Sequence, residues 1–475
     1  MTLPAAAPDH RQLRQHVVLN GMGWLVPAIL ALAAVPALAR LLGADRFGLL
    51  TLAWAAVSAF AILDLGLGRA LSVLVADRRA RGQHEEIAGL VRAAGVTSWM
   101  VFAPLGVLLA LAAPWIVAQG LDLPSELTAE ALRSLRTLAL ALPIVVHGIV
   151  LRAAFEGDLR FGAVNALRIP LGVVTWGGPW IAAVFTRDVS VLALVIVAGR
   201  TAYWAAQLLL LARGTAPAAA TPLAATPRAA ATSAPAPSQS ALATSATSPY
   251  AALWATGSWI TLSGLLSPVL TTLDRFVVPL LVPIAAVGWY VAAGEGATKL
   301  WLFPAALGPV LVPALAAAFA RGDSAEARAL LLKATRATGA VLIGPVVVLA
   351  LWADPILRWW LADAFAPDVV RVFTGFVIAV FFNSVAQVAY AGLQAGGEAR
   401  SAALLHLAEV PVFIGLLVWF GQTYGATGAA MVWAGRLVLD AFLMMALAVR
   451  RIGLPRSEVL LWSGATLVLL LVMLR

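Results

Sequence analysis

Residues 81–90, Arg-Gly-Gln-His-Glu-Glu-Ile-Ala-Gly-Leu, return at 321–330 as Arg-Gly-Asp-Ser-Ala-Glu-Ala-Arg-Ala-Leu, so that Arg81, Gly82, Glu86 and Leu90 are matched by Arg321, Gly322, Glu326 and Leu330. The separation, 321 − 81 = 240 residues, is shared by Gly48 and Gly288, by Gly157 and Gly397, and by Arg160 and Arg400. Farther along, Ala198-Gly199-Arg200 is matched by Ala434-Gly435-Arg436, a separation of 434 − 198 = 236 that requires a four-residue length change between the copies. Alanine and leucine matches carry little weight in a chain this rich in both; the glycines and charges carry the argument. The chain is an internal duplication, and duplicated helical bundles in a strongly apolar chain are typical of secondary transporters, with the substrate site at the interface between repeats.

The composition fixes the surroundings of those repeats. A mean hydropathy of +0.92, with 62% hydrophobic and 12% charged residues in 475, describes more apolar surface than a soluble chain can bury. One crossing of a bilayer core takes about 20 apolar residues. Such segments lie near 17–39, 47–75, 90–117, 130–153, 162–185 and 189–212, and again near 250–281, 288–319, 330–352, 369–395, 400–420 and 426–449. The expected fold is all-α and polytopic, with two six-helix lobes, 1–213 and 250–451, related by a pseudo-twofold axis along the membrane normal. A further apolar stretch at 458–474, within 452–475, has no upstream counterpart and reads as a thirteenth crossing or as an interfacial helix.

Arginine sets the orientation. Arg11/Arg14, Arg78/Arg79/Arg81, Arg160, Arg213/Arg228, Arg321/Arg328, Arg400 and Arg450/Arg451/Arg456 fall in alternate loops, which places those loops and the N-terminus in the cytoplasm. The first sixteen residues are polar and precede a full-length span, so no cleavable signal peptide is expected. Cysteine is absent, which excludes disulfides, thiolate catalysis and cysteine metal ligation. The formal charge of +9 is spread over membrane-flanking loops rather than gathered in a soluble domain, so no nucleic-acid partner is expected. Between the halves, 214–249 is Ala, Pro, Ser and Thr with Arg228 as its only charge, the composition of a disordered cytoplasmic tether. No cofactor motif, metal-ligand set or nucleotide-binding motif is evident, and no catalytic residues are expected.

Ionisable groups inside membrane helices are rare, and functional candidates by default. The basic candidates are Arg69, Arg152, Arg168, Arg200, Arg275, Lys299 and Arg436; the acidic ones, for ion coupling or charge pairing, are Asp64, Asp274, Glu295, Glu409 and Asp440. Seven against five leaves an excess of two positive charges. Glu295/Lys299 and Arg436/Asp440 are spaced to pair along one helical face, while Arg152 and Arg168 lie near cytoplasmic ends, within snorkelling reach of lipid headgroups. Arg200 is mid-span, with Ile196 and Trp204 at its i−4 and i+4 positions, so its partner comes from another helix or from a ligand. Planar guanidinium groups around a cationic cavity suit an anionic head group such as a pyrophosphate.

The stretch Leu63-Asp64-Leu65-Gly66-Leu67-Gly68-Arg69-Ala70-Leu71, after Leu41-Leu42-Gly43 and Phe47-Gly48-Leu49-Leu50, resembles the N-terminal signature of the polysaccharide and O-antigen flippases. Leu273-Asp274-Arg275-Phe276-Val277, Val287-Gly288-Trp289-Tyr290-Val291-Ala292-Ala293 and Pro309-Val310-Leu311-Val312-Pro313-Ala314-Leu315 are similar to that family's helix 7 to helix 8 region. The resemblance covers about residues 15–451. It implies the multidrug/oligosaccharidyl-lipid/polysaccharide exporter fold, a multi-pass protein of a bacterial cytoplasmic (inner) membrane, and translocation of polyprenyl-pyrophosphate-linked glycan by alternating access. Membrane lipid, glycosyltransferases and a polymerase are the partners it implies. Two other readings compete. A drug/cation antiporter of the same superfamily would favour acidic groups where this chain leans basic, and a membrane glycosyltransferase or polymerase would need a large extracytoplasmic catalytic loop. The longest such loop, about 353–368, reads as an interfacial hairpin anchored by Trp359 and Trp360.

Overall fold

The computed structural model describes residues 10–60, 67–158, 160–213, 266, 269–361, 368–455 and 457–458. Among these every regular element is helical. The first half forms α1 (His10–Leu42), α2 (Ala44–Phe60), α3 (Leu67–Ala80), α4 (His84–Gly120), α5 (Thr128–Gly157), α6 (Phe161–Phe185) and α7 (Val189–Ala212). The second forms α8 (Asp274–Val277), α9 (Ile284–Thr298), α10 (Leu302–Ala320), α11 (Ser324–Leu351), α12 (Ala353–Leu361), α13 (Val369–Ala395) and α14 (Ala399–Ile452). Among the described residues seven helical segments are long and apolar enough to cross a membrane, which makes this a multi-pass membrane protein. The tether 214–249, most of the 250–281 span, Asp64 and nearly all of 458–474 lie outside the described residues.

The duplication recurs as backbone geometry. Arg81-Gly82 ends α3 and Arg321-Gly322 ends α10, and both glycines take a left-handed conformation, with φ of 73° and 75°. A side chain there would clash with its own carbonyl, so glycine is the residue that turns each helix into the next. Two sequence expectations meet local differences. The 288–319 segment is α9 and α10 joined through a 3-10 turn at Lys299–Trp301. The 400–420 and 426–449 segments run on as α14, broken at Gly425, whose φ of 61° and ψ of −147° depart from helical values.

By contacts the chain divides into two units. One comprises Met1–Ala34, Ala56–Val117 and Thr128–Leu265. Its core joins α3, α4 and α5 through Leu71, Leu74, Val75, Leu90, Ala94, Val150, Leu151 and Ala154. A β-carbon on Gly157 would press into the backbone of Ser72, so that glycine is what lets α5 lie close on α3. On α4, Met100, Leu108, Leu111 and Trp115 are exposed, as a lipid-facing surface requires.

The other unit comprises Val35–Ala55, Ala118–Leu127 and Leu266–Arg475. Its centre is α13, whose stretch from Val372 to Phe382 is apolar but for Thr374 and is buried on all sides. The repeat-related glycines Gly48 on α2 and Gly288 on α9 lie against one another here. A β-carbon on Gly48 would overlap the carbonyl of Ile284, and one on Gly288 would come within 3.3 Å of the Gly48 backbone. The expected hairpin at 353–368 is, in its described part, the amphipathic helix α12, with Trp359 exposed and Trp360 buried. Arg40 donates to the carbonyls of both tryptophans at 3.2 Å, closing the end of that helix.

Candidate functional site

On α7, Arg200, Tyr203, Trp204 and Gln207 follow the i, i+3, i+4, i+7 spacing and form one stripe along the helix. On α5, Gly148 leaves room for that stripe: a β-carbon there would lie 3.3 Å from Oε1 of Gln207 and 3.9 Å from the Tyr203 ring. Arg152 follows one turn later on α5, and Arg168 comes from α6. The three guanidinium groups converge. Arg168 and Arg200 each feel the positive charge of Arg152, and Tyr203 lies within electrostatic range of all three. The carboxylate of Glu156 acts on Arg168 and stands 3.8 Å from Nε of Arg152. Among the described residues one carboxylate, Glu156, stands beside these three cations.

Among the described residues Arg200 has no ion-pair partner, and its Nε is enclosed without a hydrogen-bond acceptor. A guanidinium left so inside an apolar bundle costs several kcal/mol unless something anionic meets it. Beside the cluster, His147 on α5 accepts hydrogen bonds at Nδ1 from two indoles, Trp99 at 2.9 Å and Trp204 at 3.1 Å. Both contacts fix its tautomer, with Nδ1 bare. The Oε1 of Gln207, also buried, has no donor among the described residues.

The candidates of the second unit stand differently. Glu295 accepts from Arg275 at 3.1 Å and from Lys299 at 2.8 Å, so one carboxylate holds two cations. Asp274 accepts from the hydroxyl of Tyr290 at 2.8 Å. The expected Arg436–Asp440 pair along one helical face does not form. Arg436 turns instead to Glu409 at 3.1 Å and to the carbonyl of Leu270 at 3.1 Å, while Asp440 faces His406 at 3.2 Å and Asn383 at 3.5 Å. The first half of α14 packs beside its second half, so a carboxylate from across the helix pair outcompetes the one a turn away. Arg69 lies on α3, and its side chain, like Asp64, lies outside the described residues.

Sequence reading thus selected Arg152, Arg168 and Arg200 separately, and the structure brings them together. It missed His147, Tyr203, Trp204 and Gln207, and in the second unit His406, Asn383 and Tyr290. A helical-wheel reading outward from Arg200 would have found the α7 stripe; nothing in the sequence joins His406 to Asp440.

Comparison with known proteins bears on the family and the fold. Residues 13–319 match the family described as Polysaccharide biosynthesis protein. A Shigella flexneri protein bearing the name of an O-antigen transporter is 26% identical over 434 residues, 91% of this chain and 97% of that protein. Among solved structures, an inward-facing multidrug resistance MATE family transporter of the MOP superfamily aligns with a TM-score of 0.72 at 14% identity, over 92% of this chain and 98% of that one. A Pyrococcus furiosus MOP superfamily transporter, noted for a binding pocket of reverse polarity, aligns at 0.64 and 13% identity over 93% and 95%. At such identities the likeness shows the fold alone, which is the all-α, two-lobe transporter fold. With its family match running from α1 through α10 and a named relative covering nearly all its length, the chain belongs to the polysaccharide biosynthesis protein family of membrane transporters.

Proposed function

We propose that this protein is a flippase that moves polyprenyl-pyrophosphate-linked oligosaccharide from the inner to the outer leaflet of a bacterial cytoplasmic membrane by alternating access, and that Arg152, Arg168 and Arg200 receive the pyrophosphate. The observation that carries the reading is the guanidinium of Arg200, which has no ion-pair partner among the described residues and whose Nε is enclosed there without an acceptor. A pyrophosphate brings two or more negative charges and planar-edge oxygens that guanidinium groups bind in pairs. In the second unit the candidate cations Arg275, Lys299 and Arg436 each face a carboxylate and have less to offer an anion. A drug/cation antiporter would be served by the reverse arrangement, acidic and unneutralised. The protein in this reading makes and breaks no covalent bond; it supplies charge, a path and a conformational cycle, with the prenyl chain left in lipid.

The test is Arg200→Ala. Transfer of lipid-linked sugar between leaflets of proteoliposomes is expected to fall at least ~100-fold, the loss of one charge-assisted contact worth about 3 kcal/mol, with membrane levels unchanged. Arg200→Lys is expected to restore only part of it, because an ammonium lacks the planar two-point contact. Parental transfer by the alanine variant would remove Arg200 from the site and send the search to Arg275, Lys299 or Arg69.

A further inference from the structure

The outward stripe of α11 differs from that of its repeat-related counterpart α4 in a way that contact with lipid does not explain. The two helices begin at His84 and Ser324, 324 − 84 = 240 residues apart, so the separation read from Arg81 and Arg321 carries along both. On α4 the exposed positions one turn apart are Val96, Met100, Pro104 and Leu108, bulky and apolar throughout. On α11 the same four are Arg336, Ala340, Gly344 and Val348, likewise exposed. Val348 keeps the apolar bulk; the three before it are a charge and two of the smallest residues. Among the described residues nothing lies within 4 Å of a β-carbon placed on Gly344. Small residues four apart on a membrane helix let another helix approach closely, and a charge at a lipid-facing position is costly unless it is paired.

Arg336 is paired, and its partner identifies what covers the stripe. Gly453, with a φ of 72°, ends α14 and turns the chain; Leu454 is buried, and the amide of Glu458 donates to the carbonyl of Pro455 at 3.1 Å. The Glu458 carboxylate, 1% exposed, accepts at Oε1 from Nε and a terminal nitrogen of Arg336 at 3.0 and 2.7 Å. Neither member recurs in the first copy, where Val96 stands in place of Arg336 and no stretch corresponds to 458–474. Two uncharged runs of equal length leave this ion pair: 337–352, of 352 − 336 = 16 residues, and 459–474, of 474 − 458 = 16. A helix of that length spans about 24 Å, and reaches across a bilayer core of about 30 Å when the flanking charges extend to the headgroups. A helix lying in the interface would need a polar face, and 459–474 has Ser463 and Thr466 alone to form one.

We propose that 459–474 is a membrane-crossing helix that docks on the Ala340/Gly344 stripe of α11, with the Arg336–Glu458 ion pair setting its depth and register. The two helices run parallel from the pair, so that four and eight residues on, Trp462 falls opposite Ala340 and Thr466 opposite Gly344. A large ring then covers a small residue, and two short side chains meet at the closest approach. Arg475 comes to lie on the side of the membrane opposite to Arg450 and Arg451. The same docking accounts for the difference between the copies: α4, with no such segment to receive, keeps bulky side chains toward lipid. None of this depends on what the protein transports.

The chain has no cysteine, so introduced pairs report without background. In native membranes, full-length protein carrying Ala340→Cys with Trp462→Cys, or Gly344→Cys with Thr466→Cys, should form a disulfide on oxidation with copper phenanthroline, read by mass spectrometry as the tryptic peptides 337–358 and 457–475 joined. Gly344→Cys with Gly464→Cys, whose second position lies on the far face of the proposed helix, should not. Arg336→Glu should abolish the link between positions 344 and 466, and adding Glu458→Arg should restore it. In vesicles of one orientation, a membrane-impermeant maleimide should reach Ser457→Cys and Arg475→Cys from opposite sides. Labelling of both from the same side, or linking by the Gly464→Cys control as strong as that by Thr466→Cys, lays the segment in the interface and overturns the proposal. A disulfide-linked dimer through Ala340→Cys alone gives the stripe to a second copy and overturns it too, as does the absence of any link to 459–474 in folded protein. Should Arg336→Glu fail to accumulate, the cross-links in the otherwise parental chain and the sidedness of residue 475 decide alone.

Discussion

Arg200 and Arg436 descend from one ancestral position, 236 residues apart, and their fates differ by a single neighbour. Glu409 neutralises Arg436 at 3.1 Å. Counting back from Glu409 by the separation of 240 that holds at Arg160 and Arg400 gives Ile169, and counting back by 236 gives Val173, so neither register offers the first copy a carboxylate. One copy uses its arginine to hold two parts of a helix pair together, and in the other the arginine has no ion-pair partner among the described residues. Ile169→Glu should therefore return Arg200 to the paired condition. Leaflet transfer should fall by roughly tenfold or more, since a neutralised guanidinium loses a contact of about 1.5 kcal/mol or more to an anion, while thermal stability holds or rises. Undiminished transfer by a well-folded Ile169→Glu protein would mean that the free charge of Arg200 is not what the substrate meets.

At the scale of elements, the position of Arg200 depends on how α7 begins. Asp188 caps it, accepting from the amide of Ser190 at 2.8 Å and its hydroxyl at 2.6 Å, and from Arg133 of α5 at 2.9 Å. This carboxylate lies in the 186–188 connection, outside the span. Partial burial alone would raise its pKa, but the hydrogen bonds from Ser190 and the Arg133 guanidinium outweigh that and hold it below the usual carboxylate value. A folded pKa below the unfolded one contributes stability that is present above the ordinary carboxylate range and is lost as pH falls through the folded value. Asp188→Ala should cost about 1 kcal/mol, the usual worth of such a cap. Asp188→Asn should keep the backbone contact yet flatten the acid limb of the melting curve. Thermal unfolding in detergent from neutral pH to about pH 3 measures both, and an unchanged acid limb in Asp188→Asn would assign that limb to other carboxylates.

At the scale of the whole molecule, we propose that the chain between the duplicated halves has only to connect them. The segment 214–249 holds no large apolar side chain capable of seeding a core apart from Leu223 and Leu242. If the segment is the passive tether that its Ala, Pro, Ser and Thr composition implies, removing about half of it should leave transfer within twofold of the parent, because the reach of such a chain changes only as the square root of its length. A stably expressed deletion that no longer transports would show that the segment does more than connect.

The sequence by itself determined the environment, the duplication, the helical content and the family, because hydropathy and a 240-residue recurrence of glycines and charges are properties of the chain in one dimension. It also named the three arginines of the first unit. Only the tertiary structure decided which ions are neutralised. Arg436 faces Asp440 across one turn in sequence and takes Glu409 from 27 residues away, and Asp440 is given to His406, 34 residues distant. Pairing energy falls with distance in space rather than in sequence, and in a helical bundle the nearest carboxylate belongs as often to a packed neighbour as to the same helical face. The proximity of Arg152, Arg168 and Arg200 from three helices has the same origin: each was legible as a costly charge, and the packing of α5, α6 and α7 makes them the candidate site proposed above.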